Sequence, residues 1–137
     1  MRKRFESLQV PGAVMVGGAL GSLLRWGLSE VWPAGALPWA TLATNLTGSL
    51  ALGVVLVVGE LVGPQARHHA RSYVHLWRPF MATGVLGGFT TFSTLVLETH
   101  RLGLASGALY LLVSVLGGVS CFAIGNRWAR HRFGVTS

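Results

Sequence analysis

A chain of 137 residues that is 51% apolar, 11% charged and of mean hydropathy +0.55 forms one compact unit too apolar for an ordinary soluble domain. Four apolar windows of bilayer length use up nearly the whole sequence, which leaves no room for a soluble catalytic domain. A net charge of +7 would suit nucleic acid if it were pooled, but the basic residues are distributed to the ends of these windows, and that partner is set aside.

The first window, residues 10–28, is broken only by Arg25 and follows Arg2, Lys3 and Arg4. A basic start, an apolar stretch and Ala34-Gly35-Ala36 resemble a cleavable signal. The length of the stretch and the charge inside it argue for a retained span. The second window, residues 37–59, has no charge but holds Thr41, Thr44, Asn45, Thr47 and Ser49. The Asn45 amide has two N–H donors of the kind a dehydrated anion needs, with Thr41 one turn earlier on the same face. An interhelical hydrogen bond is the alternative use of such an Asn. Next comes a basic stretch with His68, His69 and His75 beside Tyr73, Trp77 and Phe80. With no acid or thiol nearby, it suits a membrane interface better than a metal site.

The third window, residues 79–97, is uncharged and would span about 28 Å as a helix. Its middle reads Gly84-Val85-Leu86-Gly87-Gly88-Phe89-Thr90-Thr91-Phe92-Ser93-Thr94. A Gly pair followed by hydroxyl residues loosens a helix, and irregular backbone at that depth is tolerated only where protein or a water-filled path surrounds it. Discontinuous helices of this kind often cradle ions. Phe92 lies inside the break, where a ring edge can face an anion without adding charge; ordinary packing is the alternative. The fourth window, residues 102–124, carries Tyr110 and Ser114 at i, i+4 spacing and one cysteine, Cys121, so no intrachain disulfide forms.

Nine basic residues (Arg2, Lys3, Arg4, Arg67, Arg71, Arg78, Arg127, Arg130 and Arg132) fall on one side of a four-span protein, against Arg25 and Arg101 on the other. This bias places both termini in the cytoplasm, with the protein multi-pass in the cell (inner or plasma) membrane and the basic clusters against anionic lipid. Glu6, Glu30, Glu60 and Glu98 all fall in tails or at span ends, so no enzyme constellation is expected. Gly17 and Gly21, Gly84 and Gly88, and Gly103 and Gly107 recur at the spacing of close helix approach. Four short helices enclose little volume, so an oligomer is expected for any pore.

Taken together, these segments resemble the Fluc/CrcB fluoride channels over residues 10–126. The likeness rests on Gly17-Gly18-Ala19-Leu20-Gly21 followed by Arg25-Trp26, on Thr41-Leu42-Ala43-Thr44-Asn45-Leu46-Thr47-Gly48, and above all on Thr83 to Thr94. It implies an all-α membrane fold: a single domain, residues 1–137, of four transmembrane helices with a broken third, forming an antiparallel dimer with two fluoride paths. Asn45, Ser93, Tyr110, Ser114 and Thr41 would line a path with Phe92 of the opposite subunit. Gly87 and Thr90 carbonyls would hold a structural sodium ion, and Arg25 would stand at a pore mouth or snorkel to the interface.

Two positions depart from the family. Leu95 replaces a second Phe, and Gly118 replaces a polar residue one turn past Ser114. With the charge bias, they favour a heterodimer with an oppositely oriented paralogue over a homodimer. The expected function is passive fluoride export from the cytoplasm. The rivals are a non-conducting or half-conducting partner subunit and a small multidrug-type transporter, which would want a deep carboxylate in the first span.

Overall fold

The computed structural model describes residues 2–32, 37–65 and 76–134, with the side chains of 2–7 and 62–65 left aside. Ala34-Gly35-Ala36 and the histidine-containing stretch at 66–75 therefore lie outside the described residues. Everything described is helix or short connection. Helix α1 runs Arg2–Val31 and α2 runs Trp39–Gln65. The third span opens at Pro79 as a π-wound segment, Pro79–Leu86, continued by the α-helical turn Gly87–Phe89; together these form α3. After a break, α4 covers Phe92–Arg101, and α5 covers Leu104–Phe133.

Among the described residues three stretches are long and apolar enough to cross a membrane: Trp39–Leu61, Leu76–Arg101 and Leu104–Phe133. Helix α1 is as long as α5 but holds Arg25, Pro11 and several glycines, which dilute its apolar content. Its exposed face is nonetheless apolar, with Met15, Leu23, Leu24 and Trp26 all outside. The hydroxyls of Thr41, Thr44 and Ser114 are inside. Apolar residues facing outward around a hydroxyl-bearing interior are the reverse of a soluble helical protein, and this arrangement suits lipid.

Two close pairs build the bundle, α2 with α5 and α1 with α3, and α4 packs on α5. Glycine sets the distance in each. A methyl on Gly21 would run into the Val85 carbonyl, and one on Gly84 would meet the Gly17 Cα at 2.9 Å. Between α2 and α5 the contact is reciprocal: Gly53 faces the Phe122 carbonyl and Gly125 the Leu50 carbonyl. Side chains there would hold the helices apart and forfeit the dispersion contact on which membrane helices rely.

The expected approach at Gly17, Gly21, Gly84 and Gly88 is present. Gly107 likewise abuts the Thr99 carbonyl, but a Cβ on Gly103 would meet nothing within 4 Å. Gly103 instead sits at φ 81°, in the turn that reverses the chain between α4 and α5, where a Cβ would be strained.

Candidate functional site

The break in the third span is built by hydrogen bonds as well as by weak helix formers. Thr90 and Thr91 are extended, at φ/ψ −81°/159° and −148°/122°. In an unbroken helix the Thr91 amide would donate to the Gly87 carbonyl and the Thr94 amide to that of Thr90. Neither does. Thr91 N–H donates to Asn45 Oδ1 at 2.8 Å, and Thr94 N–H donates to Thr91 Oγ1 at 3.2 Å, the N-cap of α4. The Gly87 and Thr90 carbonyls are thereby released from the ladder.

Asn45 also donates from Nδ2 to the Thr91 carbonyl at 3.0 Å, so its amide grips both polar groups of one residue. One of its two N–H bonds is used this way and the other remains. The interhelical bond considered for this Asn is present, and its donor capacity is not exhausted. The Thr90 hydroxyl bonds back to Leu86 O at 2.9 Å while its methyl rests over Gly48. Arg25, half-buried, donates Nε to the Gly88 carbonyl at 3.3 Å. The Gly88 carbonyl is therefore capped from α1, and this arginine is tied to the break as well as placed near a span end.

Beside the break lies a cavity of about 460 Å³ whose lining includes Asn45, Ser49, Gly87, Phe92, Ser114 and Gly118. The Phe92 ring is 71% exposed. Ser114 is 5% exposed, and its Oγ has no hydrogen-bond partner among the described residues. A buried hydroxyl without a partner costs about 1–3 kcal/mol, which sets Ser114 apart from the hydroxyls of Thr41, Thr44 and Tyr110. Leu95 and Thr90 also border the cavity. Leu95 is buried and supplies an apolar wall.

The expected path residues fall into two groups. Asn45, Phe92 and Ser114 of one chain border the same cavity, so Phe92 joins the path residues of its own subunit, where the resemblance implies that it reaches the path of the opposite one. Thr41 and Tyr110 meet elsewhere, on a carboxylate: Thr41 Oγ1 donates to Glu98 Oε1 at 2.7 Å and Tyr110 OH donates to Glu98 Oε2 at 2.9 Å. Glu98 thus ties α2, α4 and α5 together, with Tyr110 one helical turn before Ser114. Ser93 borders neither group and is exposed, its hydroxyl 3.3 Å from Thr91 Oγ1. Sequence reasoning placed Glu98 at a span end and went no further. A usable signal was present, because Glu98 follows Leu95 by three residues and so shares its helix face. A second acid, Glu60, pairs with Arg130 at 3.1 Å on the outside, where an ion pair contributes little.

Residues 12–126 match the family described as CrcB-like protein, Camphor Resistance (CrcB). A Nocardia farcinica protein named fluoride-specific ion channel FluC 2 is 42% identical over 127 residues, covering 85% of this chain and 84% of its own length. A Beijerinckia indica protein named fluoride-specific ion channel FluC is 47% identical over 118 residues, covering 77% and 87%. A Streptomyces coelicolor protein named fluoride-specific ion channel FluC 1 is 37% identical over 129 residues, covering 90% and 78%. The match takes in every element that shapes the break and the cavity, from the glycines of α1 to Asn126 on α5. Multi-pass in the membrane and built around a clamped helix break, the chain belongs to the CrcB-like family.

Proposed function

We propose that this chain is a subunit of a fluoride-selective channel that lets fluoride leave the cytoplasm passively. The observation that carries it is an uncharged cavity bordered by Asn45, by the edge-bearing ring of Phe92 and by Ser114, whose buried hydroxyl has no partner among the described residues. A small anion buried unpaired would cost on the order of tens of kcal/mol in a Born estimate. Hydroxyl and amide donors offset that cost without a fixed cation that would trap the ion. The names of the relatives support fluoride as the anion.

The proposed assembly has four spans per subunit, α1 included, and two subunits running antiparallel. Gly87 and Phe92 are exposed beside the cavity, so a single copy leaves the wall incomplete and a second subunit would close it. The carbonyls of Gly87 and Thr90 suit a structural sodium ion, since both have lost their helical donors and a hard cation takes oxygen ligands. Such an ion would bind the two breaks together and raise the potential felt by an anion nearby. Thr41 and Tyr110, whose single O–H donors are spent on Glu98, would serve the path only on release from that carboxylate, and Ser93 and Arg25 would stand at its approaches.

The charge bias favours a second reading of the partner. Nine basic residues against two give one dominant orientation, with both termini in the cytoplasm, so an antiparallel partner would be an oppositely oriented paralogue. The numbered names FluC 1 and FluC 2 among the relatives fit organisms with two copies.

Growth tests the function. In bacteria stripped of fluoride exporters, the chain, alone or with such a paralogue, should restore growth in millimolar-range fluoride; sensitivity in both conditions would oppose it. Single cysteines at Val31 or Leu37 in a Cys121→Ser background test the partner. Labelling of both sites from outside alone supports one orientation, and labelling from both sides supports a homodimer.

A further inference from the structure

Gly118, one turn beyond Ser114 on α5, bears no side chain at a position where the resemblance implies a polar one. What occupies that space is on the neighbouring helix. A Cβ built on Gly118 would have one neighbour within 4 Å, the Ser49 Oγ of α2, at 3.4 Å. That is ordinary contact, so the hydroxyl of Ser49 lies over the bare Cα of Gly118 without crowding it. Ser49, Gly118 and Ser114 all border the same cavity, and Ser49 follows Asn45 by one turn of α2.

We infer that Ser49 supplies the hydroxyl missing at Gly118, so that the row of donors passes from Ser114 on α5 across to Ser49 on α2. The inference rests on the fluoride reading above. It also changes the meaning of Gly118, which ceases to be a gap in the path and becomes the small residue that lets a hydroxyl from α2 reach it. A hydrogen bond to an anion is stronger than one between neutral groups, so losing this one donor slows conduction appreciably.

The test is rescue across helices. Wild type, Ser49→Ala and Ser49→Ala/Gly118→Ser are reconstituted under the condition in which wild type conducts, and fluoride release is compared at equal amounts of assembled protein. Ser49→Ala should slow release about tenfold or more. Adding Gly118→Ser, which restores a hydroxyl at the same spot from α5, should recover most of it. Thr47→Ala, on the exposed face of α2, should conduct as wild type does. If Ser49→Ala does not assemble, Ser49→Cys, close in shape but a weak donor, takes its place.

Wild-type rates in the Ser49 variant, or no recovery in the double variant, would overturn the inference and leave the fluoride reading standing. A wild-type protein that conducts in no condition would overturn both. Cross-linking of Ser49→Cys with Gly118→Cys in a Cys121→Ser background checks the juxtaposition without flux, and its failure also counts against the inference.

Discussion

Replacing Asn45 by Ala removes the one side chain that holds both polar groups of Thr91. Its two hydrogen bonds, at 2.8 and 3.0 Å, would leave the Thr91 N–H and C=O unpartnered at a half-buried position. An orphaned buried group costs about 1–3 kcal/mol, so partial burial puts the loss near 1 kcal/mol for each, about 2 kcal/mol in all. Some of it returns if Thr91 N–H re-enters the ladder to the Gly87 carbonyl. That gain closes the break and withdraws an oxygen from the proposed sodium site. Asn45→Ala should therefore lose both stability and flux, with a net cost of about 1–2 kcal/mol. Phe92→Ala should lose flux with little change in the fold of the subunit, because the ring is 71% exposed. Thermal unfolding followed by tryptophan fluorescence in detergent, beside fluoride release from the same preparations, separates the two. An Asn45→Ala protein with wild-type thermal stability would refute the clamp. Asn45 would then matter only as a path residue.

Gly21→Ala should destabilise the bundle strongly, because its methyl would meet the Val85 carbonyl, whereas Gly12→Ala, with nothing within 4 Å, should be neutral or slightly stabilising in the same unfolding assay. Gly87→Leu should leave the subunit folded, since the nearest atom to a Cβ there is the Ala82 carbonyl oxygen at 4.0 Å, yet it should abolish association of subunits as read by size in detergent.

Much of the fold was legible because a bilayer simplifies the code. Apolar length alone delimits the helices, and their ends overrun the expected spans mainly where charged tails continue the helix beyond the apolar core, as at Arg127 to Phe133. The break was visible in Gly87, Gly88, Thr90 and Thr91, but its cause was not. The acceptors that draw the Thr91 and Thr94 amides away from these carbonyls are Asn45 Oδ1, 46 residues away, and the Thr91 hydroxyl, and no local pattern discloses the first of these pairings.

The same reason hid Gly53 and Gly125, whose partners are backbone carbonyls on another helix and which have no glycine four residues away. Glu98 was rightly placed at a span end, in the last turn before Arg101, but its partners were missed for a different reason. A charge at the end of an apolar window reads as facing water, and only the fold brings Thr41 and Tyr110 to it. Gly103 erred the other way, since spacing made it a packing residue and backbone geometry makes it a turn.

The most direct test is fluoride release from loaded liposomes containing the purified protein, followed with a fluoride electrode while a potassium ionophore balances charge, with and without an oppositely oriented paralogue. Rapid release without any proton gradient, with chloride passing far more slowly, is the result expected of an uncharged path lined by Asn45, Ser114 and Phe92. Equal rates for chloride and fluoride, release that requires a proton gradient, or no release in either condition would contradict it.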